Sequence, residues 1–217
     1  MARRGKPLTR SGSSRPEQRR FLIYCEGERT EKEYFNGLRR ELKALPVTIC
    51  IGGTHGEPKS LVLAAVRHKE RAARSAADRY TAYDEVWCVV DVEAPRQHPS
   101  LDEALALARQ SRIKVALTNP CFELWLLLHF ADVSAYRTSA EVQRAAEKGL
   151  ACGYTVEKKQ VDYERLCGPQ GHNYTRARTR ARAMRAGNPD GRRVNPWTDV
   201  DELVELLRRA RARPGNR

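Results

Sequence analysis

The sequence carries six cysteines, Cys25, Cys50, Cys88, Cys121, Cys152 and Cys167, but no C-x-x-C pair and no tight grouping of cysteine with histidine. A zinc centre built on such spacings is therefore not expected. Several of these thiols stand in apolar runs, where a reduced cysteine acts as a small hydrophobe, so a reducing cytoplasm is the expected compartment. Apolar runs long enough to cross a bilayer are lacking too, and the nearest candidate, Leu124 to Phe130, falls far short. No membrane partner is expected. No charged-then-apolar leader opens the chain, because Phe21 to Cys25 is strand length and is followed at once by Glu26. There is no internal repeat. The glycine-rich stretch Gly52-Gly53-Thr54-His55-Gly56 lacks both the Lys-Ser/Thr ending of a P-loop and the full G-x-G-x-x-G spacing. His55 reads as a loop histidine.

Acid is the scarce charge. Lys and Arg number 40 against 27 Asp and Glu, a formal net charge of +13. The excess is uneven: Arg3, Arg4, Lys6, Arg10, Arg15, Arg19 and Arg20 face only Glu17 in the first twenty residues, and a second cluster runs from Arg176 to Arg193. Such asymmetry points to a polyanionic partner, nucleic acid first and an anionic membrane surface second, although an Arg-rich surface also serves solubility alone. Arg176, Arg178, Arg180 and Arg182 are the candidate phosphate contacts. Spaced mostly by two, they wrap around a helix, so some must pair with acids while others stay free.

At 217 residues the chain has room for one sizeable core. Residues 1–20 are rich in Gly, Ser, Pro and Arg with hardly any apolar side chain, so a flexible basic arm is expected there. Residues 21–135 read as an α/β core and residues 136–217 as a helical region packed on it.

The core is organised around Asp84-Glu85-Val86-Trp87-Cys88-Val89-Val90-Asp91-Val92-Glu93. Val86 to Val90 is an unbroken apolar run, the pattern of a strand buried on both faces of a parallel sheet. Side chains alternate along a strand, so Asp91 and Glu93 are expected on one side where the strand leaves the sheet. Two like charges held there need a raised pKa or a bound cation of the Mg²⁺ type, unless they merely begin a solvated loop. Phe21 to Cys25, Val47 to Ile51 and Ile113 to Leu117 complete a set of four strands. Alternation of strand and helix four times from Phe21 to Phe130 predicts a mostly parallel four-stranded sheet with helices on both faces. Glu26 ends the first strand as Asp91 ends the third. If those strands are neighbours, three acids share one crevice at the carboxyl edge, where open α/β sheets bind ligands.

Between the strands, Thr30 and Glu33 have capping-box spacing, and Tyr34, Phe35, Leu38, Leu42 and Leu45 recur at helical period. Glu28, Glu31 and Glu33 then read as acids favoured by the helix dipole. A long helix is expected from about Pro58 to Asp78 and another over Ser100 to Gln110. Asn119 and Pro120 read as the cap and first position of a buried helix reaching Phe130, inside which Glu123 must be paired, metal-linked or at a wet edge. Ser139 to Leu150, Val161 to Leu166, Tyr174 to Met184 and Thr198 to Arg213 are the remaining helices.

Tyr24-Cys25-Glu26-Gly27 followed by Val89-Val90-Asp91-Val92-Glu93 resembles the Toprim fold of topoisomerases, bacterial primases and OLD-type nucleases. Cys25 to Phe35, Asn119 to Phe130 and Asn195-Pro196 resemble more closely the RloB family of bacterial proteins, over about Phe21 to Leu207. The resemblance implies a Toprim-like, Rossmann-like domain encoded near restriction-modification or abortive-infection loci, often beside an ATPase partner. It assigns the acid or base role to Glu26 and Mg²⁺ (or Mn²⁺) binding to the acidic pair Asp91 and Glu93, and the shared crevice would make Glu26 a third ligand. One departure is that Glu93 stands where those enzymes have a second Asp. The resemblance also places a lysine near Lys158 and Lys159, where it could neutralise phosphate charge in a transition state. Two functions follow: a metal-dependent nuclease, or a non-catalytic nucleic-acid-binding or adaptor subunit of a defence complex. Nucleotidyl transfer of the primase kind would use the same ions.

Overall fold

The strand-length apolar runs Phe21–Cys25 and Val86–Val90 take the middle of the sheet. The computed structural model describes residues 19–43, 47–51, 57–74, 82–150, 152–168, 171–188 and 191–212. Arg19 and Arg20 of the basic arm fall within this set, whereas residues 1–18, the glycine-rich stretch 52–56 with His55, Leu45, and 75–81 lie outside it. The elements are β1 (Phe21–Cys25), α1 (Thr30–Leu42), β2 (Val47–Ile51), α2 (Pro58–Arg74), β3 (Glu85–Asp91), α3 (Leu101–Gln110) and β4 (Lys114–Asn119). They continue as α4 (Glu123–Leu127), α5 (Ser139–Gly149), α6 (Tyr163–Cys167), α7 (His172–Ala186), β5 (Trp197–Thr198) and α8 (Val200–Ala212).

The sheet order is β2-β1-β3-β4-β5. The first four strands in that order pair in parallel, with Cys25 beside Val89 and Asp91 beside Thr118, while β5 runs antiparallel to β4 through Thr118 and Thr198. The sheet thus has five strands where four were expected. β5 is two residues long and carries no periodic signal of its own. Its place is fixed by Asp199, whose Oδ1 and backbone N–H bond the amide and carbonyl of Leu117.

Strand alternation divides the core in two. Leu22, Tyr24, Val86, Cys88 and Val90 face α2 and α3 through Leu61, Val62, Ala65, Leu101, Ala104 and Ala108. Phe21, Ile23, Cys25, Trp87 and Val89 face the other way, into a larger cluster shared with α1, α4, α5, α6, α7 and α8. Asp91 has the parity of Trp87 and Val89, so it belongs to this larger face. At the centre of that cluster Tyr34 stacks edge-on against Phe122, Trp125 and Tyr163, with ring centroids 5.6, 6.2 and 5.3 Å away. Gly37 makes the approach of Tyr163 possible, since a Cβ there would stand 2.3 Å from its ring.

Three local expectations are corrected. Thr30 and Glu33 form no capping box: Arg29 holds the N-cap position without a side-chain bond, the Thr30 hydroxyl bonds Glu123, and Glu33 accepts the Val161 amide. Tertiary partners outcompete the local ones. Asn119 is the last residue of β4, not a cap, and donates its side-chain amide to the carbonyl of Arg193. The buried helix after it is the short α4, beginning at Glu123, and its flanking turns complete the apolar segment.

Candidate active site: an acidic cavity at the carboxyl edge

Because β1 and β3 are parallel neighbours, Glu26 and Asp91 leave the sheet side by side. The Glu26 carboxylate, 6% exposed, accepts the Asp91 backbone amide at 3.1 Å through Oε2. Asp91 Oδ1 is enclosed and has no hydrogen-bond partner. Glu93 reaches the same place by another route than strand alternation. β3 ends at Asp91, and Glu93 sits in a left-handed turn at φ 65° with its amide bonded to the carbonyl of Pro120.

These three acids line one cavity of about 580 Å³ together with Gly27 to Glu31, Cys121, Glu123, Ser139, Gln143, Glu157 and Lys159. Seven carboxylates and two cations, Arg29 and Lys159, make up its charged lining. Glu31, 4% exposed, folds back over the turn, and its Oε1 accepts the Gly27 amide at 3.1 Å. Glu123, also 4% exposed, has one oxygen held by the Tyr154 hydroxyl at 2.8 Å and the Thr30 hydroxyl at 3.2 Å. The Tyr154 to Val161 segment closes one wall. There the carbonyls of Lys158 and Lys159 accept Arg29 Nη1 and the Thr30 hydroxyl, and Lys159 takes a left-handed φ of 50°. Lys159 is exposed at the rim and Lys158 lies outside the lining.

Crowded burial shifts the titration of this group. Burial, followed by repulsion from Glu31, Glu93 and Glu57, lifts Glu26 to about 7 against the opposing bond from Asp91 N–H. Glu31 also rises to about 7, through burial and then repulsion from Glu123, with Lys159 opposing. Asp91 is pushed well above the carboxylate range by burial and by Glu31, Glu26 and Glu123. Such a group exists either partly protonated or neutralised by a cation.

The donor set therefore suits a hard divalent ion: carboxylate oxygens, one of them without a partner, and no competing thiolate, since Cys121 is held protonated by burial and by Glu123. Among the described residues, no three His, Cys, Asp or Glu side chains are already gathered at metal-ligand spacing.

The four arginines proposed for phosphate contact lie elsewhere. None lines the cavity. Arg178 pairs with Glu205 at 2.6 Å, and Arg180 with Asp132 at 3.2 Å and the Leu128 carbonyl at 2.8 Å, while Arg176 and Arg182 are exposed.

A family model described as RloB-like protein matches residues 21–207. The chain belongs to the RloB family. No curated protein and no solved structure matches it. Within this RloB chain, Thr30 and Glu31 line the candidate site and Tyr154 bonds its Glu123, placements that periodicity misassigned or passed over. Gly27 carried the signal for Glu31, because a Cβ at that position would lie 2.1 Å from Glu31 Oε2. A glycine directly after a strand-ending acid leaves room for a second carboxylate to fold back. None of the RloB chain's described helices is long and apolar enough to cross a membrane.

Proposed function

We propose that this RloB-family chain is a Toprim-type, Mg²⁺-dependent nuclease hydrolysing phosphodiester bonds of DNA or RNA in bacterial anti-phage or abortive-infection defence. The observation that carries the reading is the meeting of Glu26 and Asp91 in one acidic cavity at the carboxyl ends of adjacent parallel strands. Glu26, Asp91 and Glu93 would hold Mg²⁺ or Mn²⁺, and Glu93 offers the same carboxylate as the usual Asp with one more methylene of reach. The bound ion supplies Lewis-acid polarisation of a phosphate and a lowered pKa for water. Glu26, lifted to about 7 in the cation-free cavity, is the residue placed to take or return a proton, the role general acid–base catalysis requires. Lys159 at the rim offsets developing phosphate charge. Glu123, held by Tyr154 and Thr30, places a carboxyl on the inner wall. The +13 net charge favours a nucleic-acid substrate by long-range attraction, and an ATPase subunit is the proposed protein partner on the family resemblance alone.

The decisive experiment measures cleavage of labelled DNA and RNA with Mg²⁺, with Mn²⁺ and with EDTA, for wild type and for Glu26→Gln with Asp91→Asn. Ion-dependent cleavage lost in the double variant, with binding kept, is the expected result. A double variant that cuts as fast as wild type removes the site assignment. Binding without turnover in either ion replaces the nuclease by an adaptor that holds nucleic acid for a larger complex.

A further inference from the structure

Tyr136 is 58% exposed, the one large apolar side chain among the described residues that faces solvent. Its surroundings are fixed at several points. Arg180 ties the start of the segment through the Leu128 carbonyl and Asp132, and Val133 is buried in the larger core. On the other side of Tyr136, the backbone of Arg137 and the Asn195 side chain exchange two hydrogen bonds, N–H to Oδ1 at 3.2 Å and Nδ2 to carbonyl at 2.8 Å. Thr138 then closes a capping box with Glu141. An aromatic ring displayed on a segment secured on both sides loses little freedom when it is covered, which favours binding.

The segment also leads into the cavity. Ser139 lines it and is joined to Ala94 by reciprocal bonds of 3.1 and 3.2 Å, and Ala94 follows the cavity residue Glu93. Two residues, Arg137 and Thr138, separate Tyr136 from Ser139, at most about 11 Å of chain. Exposed Arg96 and half-buried Arg137 lie in the same two segments. The cavity itself, about 580 Å³ with Glu26, Glu31 and Glu123 buried in its lining and Glu28, Glu93 and Glu157 exposed, matches a small-molecule pocket in size, room for a nucleotide and not for a duplex.

We infer that Tyr136 is a base-stacking platform beside the acidic cavity, and that the ligand there is single-stranded nucleic acid threaded over the ring. The inference rests on the nuclease reading for its substrate class but not for its test. Stacking is tolerant of sequence because every base has a π-face, and flanking arginines hold the backbone without selecting bases.

The test is fluorescence anisotropy of the full chain with a labelled single strand and with a duplex of the same length, Ca²⁺ replacing Mg²⁺. Tyr136→Ala should bind the single strand roughly ten-fold more weakly, the worth of one base–aromatic stack, with duplex affinity unmoved and the melting temperature unchanged. Tyr136→Phe and Tyr136→Trp should keep wild-type affinity. Unchanged single-strand binding by Tyr136→Ala overturns the platform, as does an equal loss on both ligands. Tyr136-dependent binding with no cleavage in Mg²⁺ or Mn²⁺ sinks the nuclease reading and leaves the platform standing. Cleavage with Tyr136-independent binding does the reverse.

Discussion

The carboxylate of Glu26 accepts the backbone amide of Asp91 at 3.1 Å, joining the ends of two strands 65 residues apart in the chain. That bond fixes Glu26 against a position where Asp91 keeps an unpartnered oxygen. Glu26 raises the cost of ionising Asp91, while the Asp91 amide eases the ionisation of Glu26 against its burial.

Stability should consequently carry a cation-sensitive pH dependence. Glu26 and Glu31 titrate at about 7 in the folded chain against 4.5 when free. Below 4.5 both states hold these protons and the pair costs nothing. As pH rises to 7 the unfolded chain releases them first, so their contribution to stability falls and stays low above 7. His129, lowered to about 4 by burial, works in the opposite sense as pH falls from 6.5, so the pair must be isolated by substitution. Glu26→Gln with Glu31→Gln should gain stability over wild type at pH 8, by on the order of 3 kcal/mol, and little at pH 4.5. Urea unfolding at the two pH values measures it. Mg²⁺ should raise the wild-type melting temperature at pH 8 and not at pH 4.5, and chelation should reverse the rise. An equal gain at both pH values would mean that these carboxylates are not the strained group.

Gly27→Ala should act through Glu31. The added Cβ would stand 2.1 Å from Glu31 Oε2, so the carboxylate must swing off the turn and give up the Gly27 amide. Mn²⁺ affinity, read by electron paramagnetic resonance, should fall at least about ten-fold, as for loss of a residue that orients metal ligands. Glu31→Gln should mimic it. Wild-type Mn²⁺ binding by Gly27→Ala would show that Glu31 has no part in the site.

The arginines of α7 should separate into two classes. Arg176 and Arg182 are exposed, so replacing either by Ala should lower the salt slope of duplex binding by about 0.9 if each neutralises a phosphate, with stability unchanged. Arg178 is half-buried against Glu205, and Arg178→Ala should cost about 1 kcal/mol of stability while leaving the slope alone. Salt titrations of binding and urea melts on the same variants decide it. Identical slopes for all three variants and wild type would take α7 out of the nucleic-acid surface.

Four strands could be read in the sequence, most plainly Phe21 to Cys25 and Val86 to Val90, because a strand buried on both faces is apolar throughout. The fifth could not, since Trp197 and Thr198 pair only because Asp199 bonds Leu117 across the fold. The acids that end strands were legible as candidates for the same reason. Glu31 was not, because its spacing is that of an ordinary first-turn acid and only the turn at Gly27 buries it. Thr30 and Glu33 show the limit most plainly. Their spacing fits a local cap, yet Glu123 and Val161 compete for the same hydrogen bonds from 93 and 128 residues away and win.

The sequence by itself determined the parallel α/β sheet and singled out Glu26 and Asp91, because these follow from periodicity and strand-ending residues, which are local, while its motifs carried the family resemblance. Tertiary structure alone decided which acids share a cavity, which arginines are already paired and where an aromatic ring stays uncovered. Those outcomes depend on the distances between segments that only the closed chain brings together, and on the burial that makes each charge costly.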